Sequence, residues 1–493
     1  MSTPVVPRRR SSHFNTPFIS TLESAAYTNG QDDPNYYSHD PRTLVSSSIV
    51  HSFTTGTGSA IYRSLTPLLE STNEELILVT CFWAKSLTLE TLNGILWRLS
   101  EKANRRGGEK IRVKLCFSSL SLFQKLFHSQ SIEGQTYPSS VWVEKLGLPS
   151  PGELSGLDIQ VKSVFLLPFS VMHPKFMIID RQTVILPSCN ISWEEWFEGA
   201  ITFSGPVVNK FLEFYSKFWN RGALPPLERS RRETSTEDDP FQDPHRGTQD
   251  FGHSHIISQY VDASDSSDSS EITTLFLPSP HRRNPQFSPF SSSDRLIVPP
   301  TPLNTFILTL IGKADRNVRI QTPNITAPPV LSAILKALAR GIDVRILTSE
   351  SLMVLEQLVT AGTTTSRCVN KLIIRYKKLL VAAHKGTSTD EEAAIAVPRP
   401  GRLQISYFAP ANGPRPRGAE GNEPQQSHLK MMIVDHNLLV LGSGNLDRAS
   451  WFTSQELGVA FYDEGLVKRV SSVVDQALEG RIKCMYDSGG QSK

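Results

Sequence analysis

The sequence predicts an α/β protein made of two similar lobes packed about a pseudo-twofold axis. Strand-like and helix-like segments alternate, the same series of segments occurs twice, and five polar residues recur in both series at identical spacing. Alternation of the two periodicities marks layered units of helix on sheet, and a duplicated unit of that kind points to symmetric packing.

The first series falls within about residues 46–222. It runs from a helix-like "SAIYRSLTPLLESTN" through the strand "ELILVTCF", the helix "LETLNGILWRLSEKANRRG" and the strand "IRVKLCFSS". It continues with "VMHPKFMIIDRQTVILPSCNISWEEWFEGAITF" and ends in the helix "VVNKFLEFYSKFWN". The second series, within 296–485, answers in order with "LNTFILTLIGKAD", "NVRIQTPN", "PVLSAILKALARG", "DVRILTSE", "SHLKMMIVDHNLLVLGSGNLDRASWFTSQELGVAF" and "LVKRVSSVVDQALEG". In its clearest helix Val330, Ile334, Leu335 and Leu338 share one face and Gly341 ends the run.

Between the lobes, residues 223–295 are rich in Ser, Asp, Pro and charge and read as a low-complexity linker. A flexible insert is expected at about 385–426, interrupted by the strand-like "LQISYF". Residues 1–45 read as a disordered tail and 486–493 as a second one.

The 493 residues, 39% hydrophobic and 20% charged, suffice for a substantial core in two domains. A formal charge of +3 supplies no global field for nucleic acid or an anionic membrane, so the partner must be read from a site. Five cysteines without CxxC spacing fit a reducing compartment and imply neither a disulfide framework nor a metal site. No cofactor is implied. The apolar runs are too short to span a bilayer. The expected location is the cytoplasm or a membrane periphery, and the acid-free first 22 residues also admit a mitochondrial address.

His173, Lys175, Asp180, Ser188 and Asn190 have the mutual spacing of His428, Lys430, Asp435, Ser443 and Asn445. With average residue usage, a chance second copy has a probability on the order of one in ten thousand. A three-residue gap extends the register to Glu198 with Glu456 and Phe203 with Phe461. On a strand, residues two apart face the same way, so each His and Lys project together. Asp180 and Asp435 then sit in tight reversals and read as anchors of the hairpin more than as proton carriers. Two such half-sites would surround one phosphodiester with two imidazoles, two ammonium groups, hydroxyls and amides. One imidazole, neutral near its ordinary pKa of about 6.5, attacks phosphorus, and the other protonates the leaving alcohol. Lys175 and Lys430 would stabilise the developing charge, and Glu198 and Glu456 would hold the outer imidazole nitrogens.

HxK, four residues, Asp, then a Ser-x-Asn run, present twice, resembles the phospholipase D superfamily. The resemblance implies two α/β/α lobes sharing one active site, metal-independent chemistry through a phosphohistidine, His173 as nucleophile and His428 as general acid. It departs at Pro187, where the second copy has Gly442, so any contact that needs a glycine backbone is in question there. Catalytic candidates are therefore His173, Lys175, Asp180, His428, Lys430 and Asp435. Ser188, Asn190, Glu198, Ser443, Asn445 and Glu456 are expected to bind phosphate or orient the catalytic groups.

The expected substrate is a phospholipid met at a membrane surface, cleaved or transferred as by phospholipase D or a phosphatidyltransferase of the cardiolipin synthase kind. A nuclease would want a continuous basic track with stacking aromatics, which the near-neutral composition does not offer. An inactive phosphate-binding module is the reading Pro187 favours. Tyrosyl-DNA phosphodiesterases fit poorly, because that branch typically lacks the two aspartates. Cys189 reads as packing, Trp193, Trp196 and Trp451 as either packing or pocket, and "RYKKLL" at 375–380 as a solvated face.

Overall fold

The computed structural model describes residues 8–120, 131–166, 171–227, 256–261, 270–281, 297–386, 399–415 and 423–489. Its first sheet contains β1 (Val45–Gly56), β2 (Glu75–Phe82), β3 (Ile111–Ser119), β4 (Leu157–Ser163), β5 (Phe176–Ile179), β6 (Thr183–Pro187) and β7 (Trp196–Ser204). They lie in the order β4-β3-β2-β5-β6-β7-β1, parallel among β4, β3 and β2 and antiparallel thereafter. The short β8 (Ser258–Val261) pairs with the far part of β1.

The second sheet contains β9 (Ile272–Ser279), β10 (Asn317–Gln321), β11 (Asp343–Thr348), β12 (Leu403–Phe408), β13 (Met431–Val434), β14 (Leu438–Gly442), β15 (Glu456–Tyr462) and β16 (Ile482–Asp487). Its order, β12-β11-β10-β13-β14-β15-β9, repeats that of the first with the same mixture of directions, and β16 adds an edge beside β12. The strands Val45–Ser48 and Ile272–Leu275 pair antiparallel and join the two sheets.

Helices cover the sheets: α1 (Arg8–Ser24), α2 (Gly58–Glu70), α3 (Leu87–Arg106), α4 (Val208–Phe214), α5 (Pro302–Lys313), α6 (Pro328–Ala339), α7 (Val354–Ala361), α8 (Thr365–Gly386), α9 (Arg448–Phe452) and α10 (Glu464–Ala477). In β2 every residue from Glu75 to Cys81 is buried, as a strand covered on both faces must be. Leu76 and Leu78 join Leu65, Leu92, Leu96 and Leu99 in a core beneath α2 and α3. Ile77 and Val79 face the opposite way, into a larger core that continues through the second lobe. Phe203 meets Phe461 there with ring centroids 5.6 Å apart, and Phe211 meets Phe276 at 5.0 Å. The residues paired by sequence register thus touch where the lobes join.

Two expected boundaries change. Residues 8–24 are a helix, not a free tail: Phe14, Phe18 and Leu22, four residues apart, are buried, and Phe18 lies edge-on to Phe306 of α5 at 5.0 Å. Residues 272–279 of the expected linker are β9, an interior strand that joins the two lobes and is buried at every residue except Thr273. Within the expected flexible insert, the strand-like "LQISYF" is β12, paired on both sides. Positions 228–255, 262–269, 282–296, 387–398 and 416–422 of those linker and insert assignments lie outside the described residues.

Candidate active site

Each HxK motif occupies the extended run that enters the central hairpin. His173 and Lys175 precede β5, and His428 and Lys430 precede β13. The chain then reverses with two consecutive left-handed residues, Asp180 (φ 48°) and Arg181 (φ 56°) in one lobe, Asp435 (φ 52°) and His436 (φ 59°) in the other. Asp tolerates that conformation better than most residues because its short side chain bonds locally. The Asp180 carboxylate accepts from the backbone N–H groups of Asn73, Glu74 and Glu75 at 2.8–2.9 Å. Asp435 accepts from Asp315, Arg316 and Asn317 at 2.8–3.0 Å. Both aspartates are consumed in tying the hairpin to the start of the neighbouring antiparallel strand, β2 or β10.

The histidines are oriented across the lobe boundary. His173 Nδ1 lies 2.9 Å from Glu456 Oε2, and His428 Nδ1 lies 2.7 Å from Glu198 Oε1. The backbone makes the same exchange. His173 N donates to Gln455 O at 2.9 Å, while His428 N and Leu429 N donate to Phe197 O at 2.9 and 3.0 Å. Gln426 and Ser427 pair with Trp196 and Phe197, and Met172 forms a bridge with Gln455. Each HxK segment is therefore docked on the residue just before the other lobe's glutamate. The sequence register pairs Glu198 with Glu456 but gives no sign of which histidine each serves, because that depends on how the lobes meet.

Ser188 and Ser443 donate their hydroxyls to Glu198 and Glu456 respectively, and each accepts from a backbone N–H, Gly199 or Leu457, at 3.0 Å. Their bonds orient the carboxylates. Asn190 Oδ1 accepts from Phe82 N at 3.3 Å, and Asn445 Nδ2 donates to Asp447 at 3.0 Å. Asn445 Oδ1 is buried without a hydrogen-bond partner among the described residues. Pro187 leaves the local frame intact: Ser188 N still donates to Gly199 O at 2.8 Å, as Ser443 N does to Leu457 O at 2.9 Å. Glycine is required only in the second copy, where a Cβ on Gly442 would stand 2.3 Å from Leu457 O and 2.7 Å from the Cα of Gly458.

The two half-sites differ in detail. The His428 side chain is 2% exposed, its Nε2 lies 2.8 Å from Lys430 Nζ, and the Trp196 ring sits 4.4 Å from it, centroid to centroid. The His173 side chain is 12% exposed, and Lys175 Nζ donates to its backbone carbonyl at 3.0 Å, so that among the described residues Nε2 is open. The sequence signal for this asymmetry is the register itself, which sets Trp196 against Ser454. Of the other tryptophans, Trp193 is exposed and Trp451 is buried.

Burial lowers the pKa of His173, with the Glu456 charge opposing and the Lys175 charge assisting. Burial pushes His428 well below its ordinary value, and the charges of Lys430 and Lys175 add to the effect. Lys430, a buried ammonium, is lowered to about 7 by desolvation, which the Glu198 charge only partly offsets. The carboxylates split: burial raises Glu198, whereas at Glu456 the burial effect is outweighed by the His173 charge and hydrogen bonds, so its pKa falls. Cys189 is a buried thiol pushed up by desolvation, which suits packing.

Residues 307–478 match the family model described as "Cardiolipin synthase, PLD-like domain". The match lies within the second lobe, and the architecture of the chain is mixed α/β. No curated protein matches it. Among solved structures, phosphatidylserine synthase from Haemophilus influenzae Rd KW20 is 15% identical, with 89% of each chain covered and a TM-score of 0.47. The phospholipase D family member Nuc from Salmonella typhimurium is 16% identical, covering 37% of this chain and 90% of its own, with a TM-score of 0.25. Polyphosphate kinase from Porphyromonas gingivalis is 9% identical over 87% of this chain and 49% of its own, at a TM-score of 0.42.

Proposed function

We propose that the protein cleaves or exchanges phosphodiester bonds of phospholipids through a covalent phosphohistidine. The observation that carries this reading is the reciprocal pairing of His173 with Glu456 and His428 with Glu198, which sets two oriented imidazoles and two buried lysines at one lobe boundary. His173, with its Nδ1 proton held by Glu456 and its Nε2 open, is the nucleophile. Its lone pair forms the P–N bond as the P–O bond to the head-group alcohol breaks. That alcohol leaves with a proton from His428 Nε2, supplied through the hydrogen bond from Lys430. An incoming phosphodiester anion raises the proton affinity of these groups, which offsets their desolvation.

In the second step water or an acceptor alcohol attacks phosphorus, its proton passes through His428 back to Lys430, and the P–N bond breaks. Lys175 stabilises charge on the non-bridging oxygens, and Lys430 does so while it holds its proton. A phospholipid is favoured over nucleic acid as substrate by the family description, by the absence of a basic track in the composition, and by the surface considered below.

The test is turnover of phosphatidylcholine with a primary alcohol, of phosphatidylglycerol, and of a bis-nitrophenyl phosphate reporter, by wild type, His173→Ala and His428→Ala. Mass spectrometry of protein quenched without acid should find a phosphatidyl group on His173. Wild-type turnover no higher than that of both variants on all three substrates would instead identify a binding module.

A further inference from the structure

We propose that α7 and the cationic stripe of α8 form the surface by which the protein sits on an anionic phospholipid bilayer. The two helices are joined by three residues, Gly362–Thr364, in the second lobe. α7 is inverted relative to an ordinary surface helix. Its polar Gln357 points inward, 3% exposed, where Nε2 donates to Leu352 O at 2.6 Å and Oε1 accepts from Thr365 N at 2.6 Å and Thr365 Oγ1 at 2.9 Å. The apolar residues point outward: Leu355 is 77% exposed, and Val354, Leu358 and Val359 are exposed beside it. A helix that anchors its polar side in the protein and shows its aliphatic side to solvent has a face for another apolar phase.

α8 supplies the charge. Its buried side is Cys368, Val369, Leu372 and Tyr376. Its exposed stripe, at successive steps of four and three, is Arg367, Lys371, Ile374, Lys378 and Val381, in which Ile374 and Val381 are each 55% exposed. The helix contains no acidic residue, and α7 contains one, Glu356. Arg367, Lys371 and Lys378 are not ion-paired among the described residues. Alternating cations and exposed aliphatics are what an interfacial helix uses to engage anionic head groups while its apolar side chains enter the acyl boundary. A nucleic acid would use the cations but has no place for Leu355, Leu358, Ile374 and Val381, since single strands are held by stacking on aromatic rings.

The surface lies close to the candidate active site. α7 follows β11, whose end residue region holds Ser349, and Ser349 Oγ donates to Ser427 O at 2.8 Å while accepting from Ser427 N at 3.1 Å. Ser427 immediately precedes His428. α7 also packs against α9, the short helix beyond Asn445. A bilayer seated on α7 is thereby brought to the end of the sheet where the histidines lie. The assignment deepens the phospholipid reading of that site and rests on it.

The experiment is co-sedimentation of the full chain with vesicles of phosphatidylcholine alone and with about one-third phosphatidylglycerol. Wild type and the catalytically disabled His173→Ala should both sediment with the anionic vesicles and be released by added salt. Leu355→Ser with Leu358→Ser, and separately Lys371→Glu with Lys378→Glu, should each weaken binding about tenfold or more. All four positions are exposed, so circular dichroism should show both variants folded. Vesicle binding unchanged in both pairs, or wild type retained by single-stranded DNA and not by anionic vesicles, overturns the proposal. Turnover of the soluble reporter without sedimentation overturns the docking surface and leaves the chemistry standing. Sedimentation that depends on α7, without turnover of any phosphodiester, upholds the surface and removes the enzymatic reading.

Discussion

At the scale of single residues, the candidate site is a set of charges whose equilibria are displaced by burial. Because burial holds His173 below its ordinary value of about 6.5, the ring remains neutral and nucleophilic as pH falls through that value. Lys430, lowered to about 7, loses its charge as pH rises through neutrality. The expected kcat/KM profile is therefore a bell with an acid limb below pH 6.5 and an alkaline limb near pH 7. Lys430→Arg, whose cation does not titrate in this range, should move the alkaline limb upward if it retains turnover; an unmoved limb would assign it to another group. His173→Ala should lose about 10³-fold or more in kcat, measured on the reporter. Glu456→Gln should lose about 10² to 10⁴-fold with binding little changed, since it disturbs the tautomer of the nucleophile and not contact with substrate.

At the scale of elements, the aspartates test the difference between frame and chemistry. Asp435→Ala strands three backbone donors and leaves alanine in a left-handed turn, so it should cost about 2–4 kcal/mol in denaturant unfolding. Turnover of the folded fraction should fall far less than in His173→Ala. Loss of activity with stability intact would return Asp435 to proton transfer. Helix α1 offers a second measurement: Phe18→Ala empties a buried aromatic site against Phe306 and should lower stability by about 3–5 kcal/mol.

The helix could have been found from Phe14, Phe18 and Leu22 at fourfold spacing. It was obscured by Arg8–Arg10, by Pro17 and by the absence of any acid before Glu23, all of which suit a tail. β9 was hidden in the same way, since composition averaged over a long polar stretch conceals a short run, Leu275–Leu277, of buried apolar residues.

At the scale of the whole molecule, the repeat made the duplicated series of strands and helices legible and marked twelve positions as candidates, because equivalent units repeat their residues at equivalent spacing. What could not be read was the partnership between the halves. A sequence register pairs equivalents, Glu198 with Glu456, whereas the fold pairs each histidine with the far glutamate. The inward Gln357 and outward Leu355 of α7 were likewise invisible, because a short helical segment reads the same whichever face is turned to water. The prediction at this scale concerns fragments. Residues 45–222 and 270–487, each purified alone, should have no turnover above the His173→Ala background, since neither carries a complete histidine–carboxylate pair.

The crossed arrangement of carboxylates also makes catalytic competence a report on assembly. Any change that lets the halves drift apart strips both rings of their proton-holding partners in one event, so a loosened molecule falls silent as a unit instead of running on one good half. Selection on turnover is then, indirectly, selection on the seam, and conservative changes buried at Phe203 and Phe461 should weigh on reaction rate although neither ring touches a reacting atom.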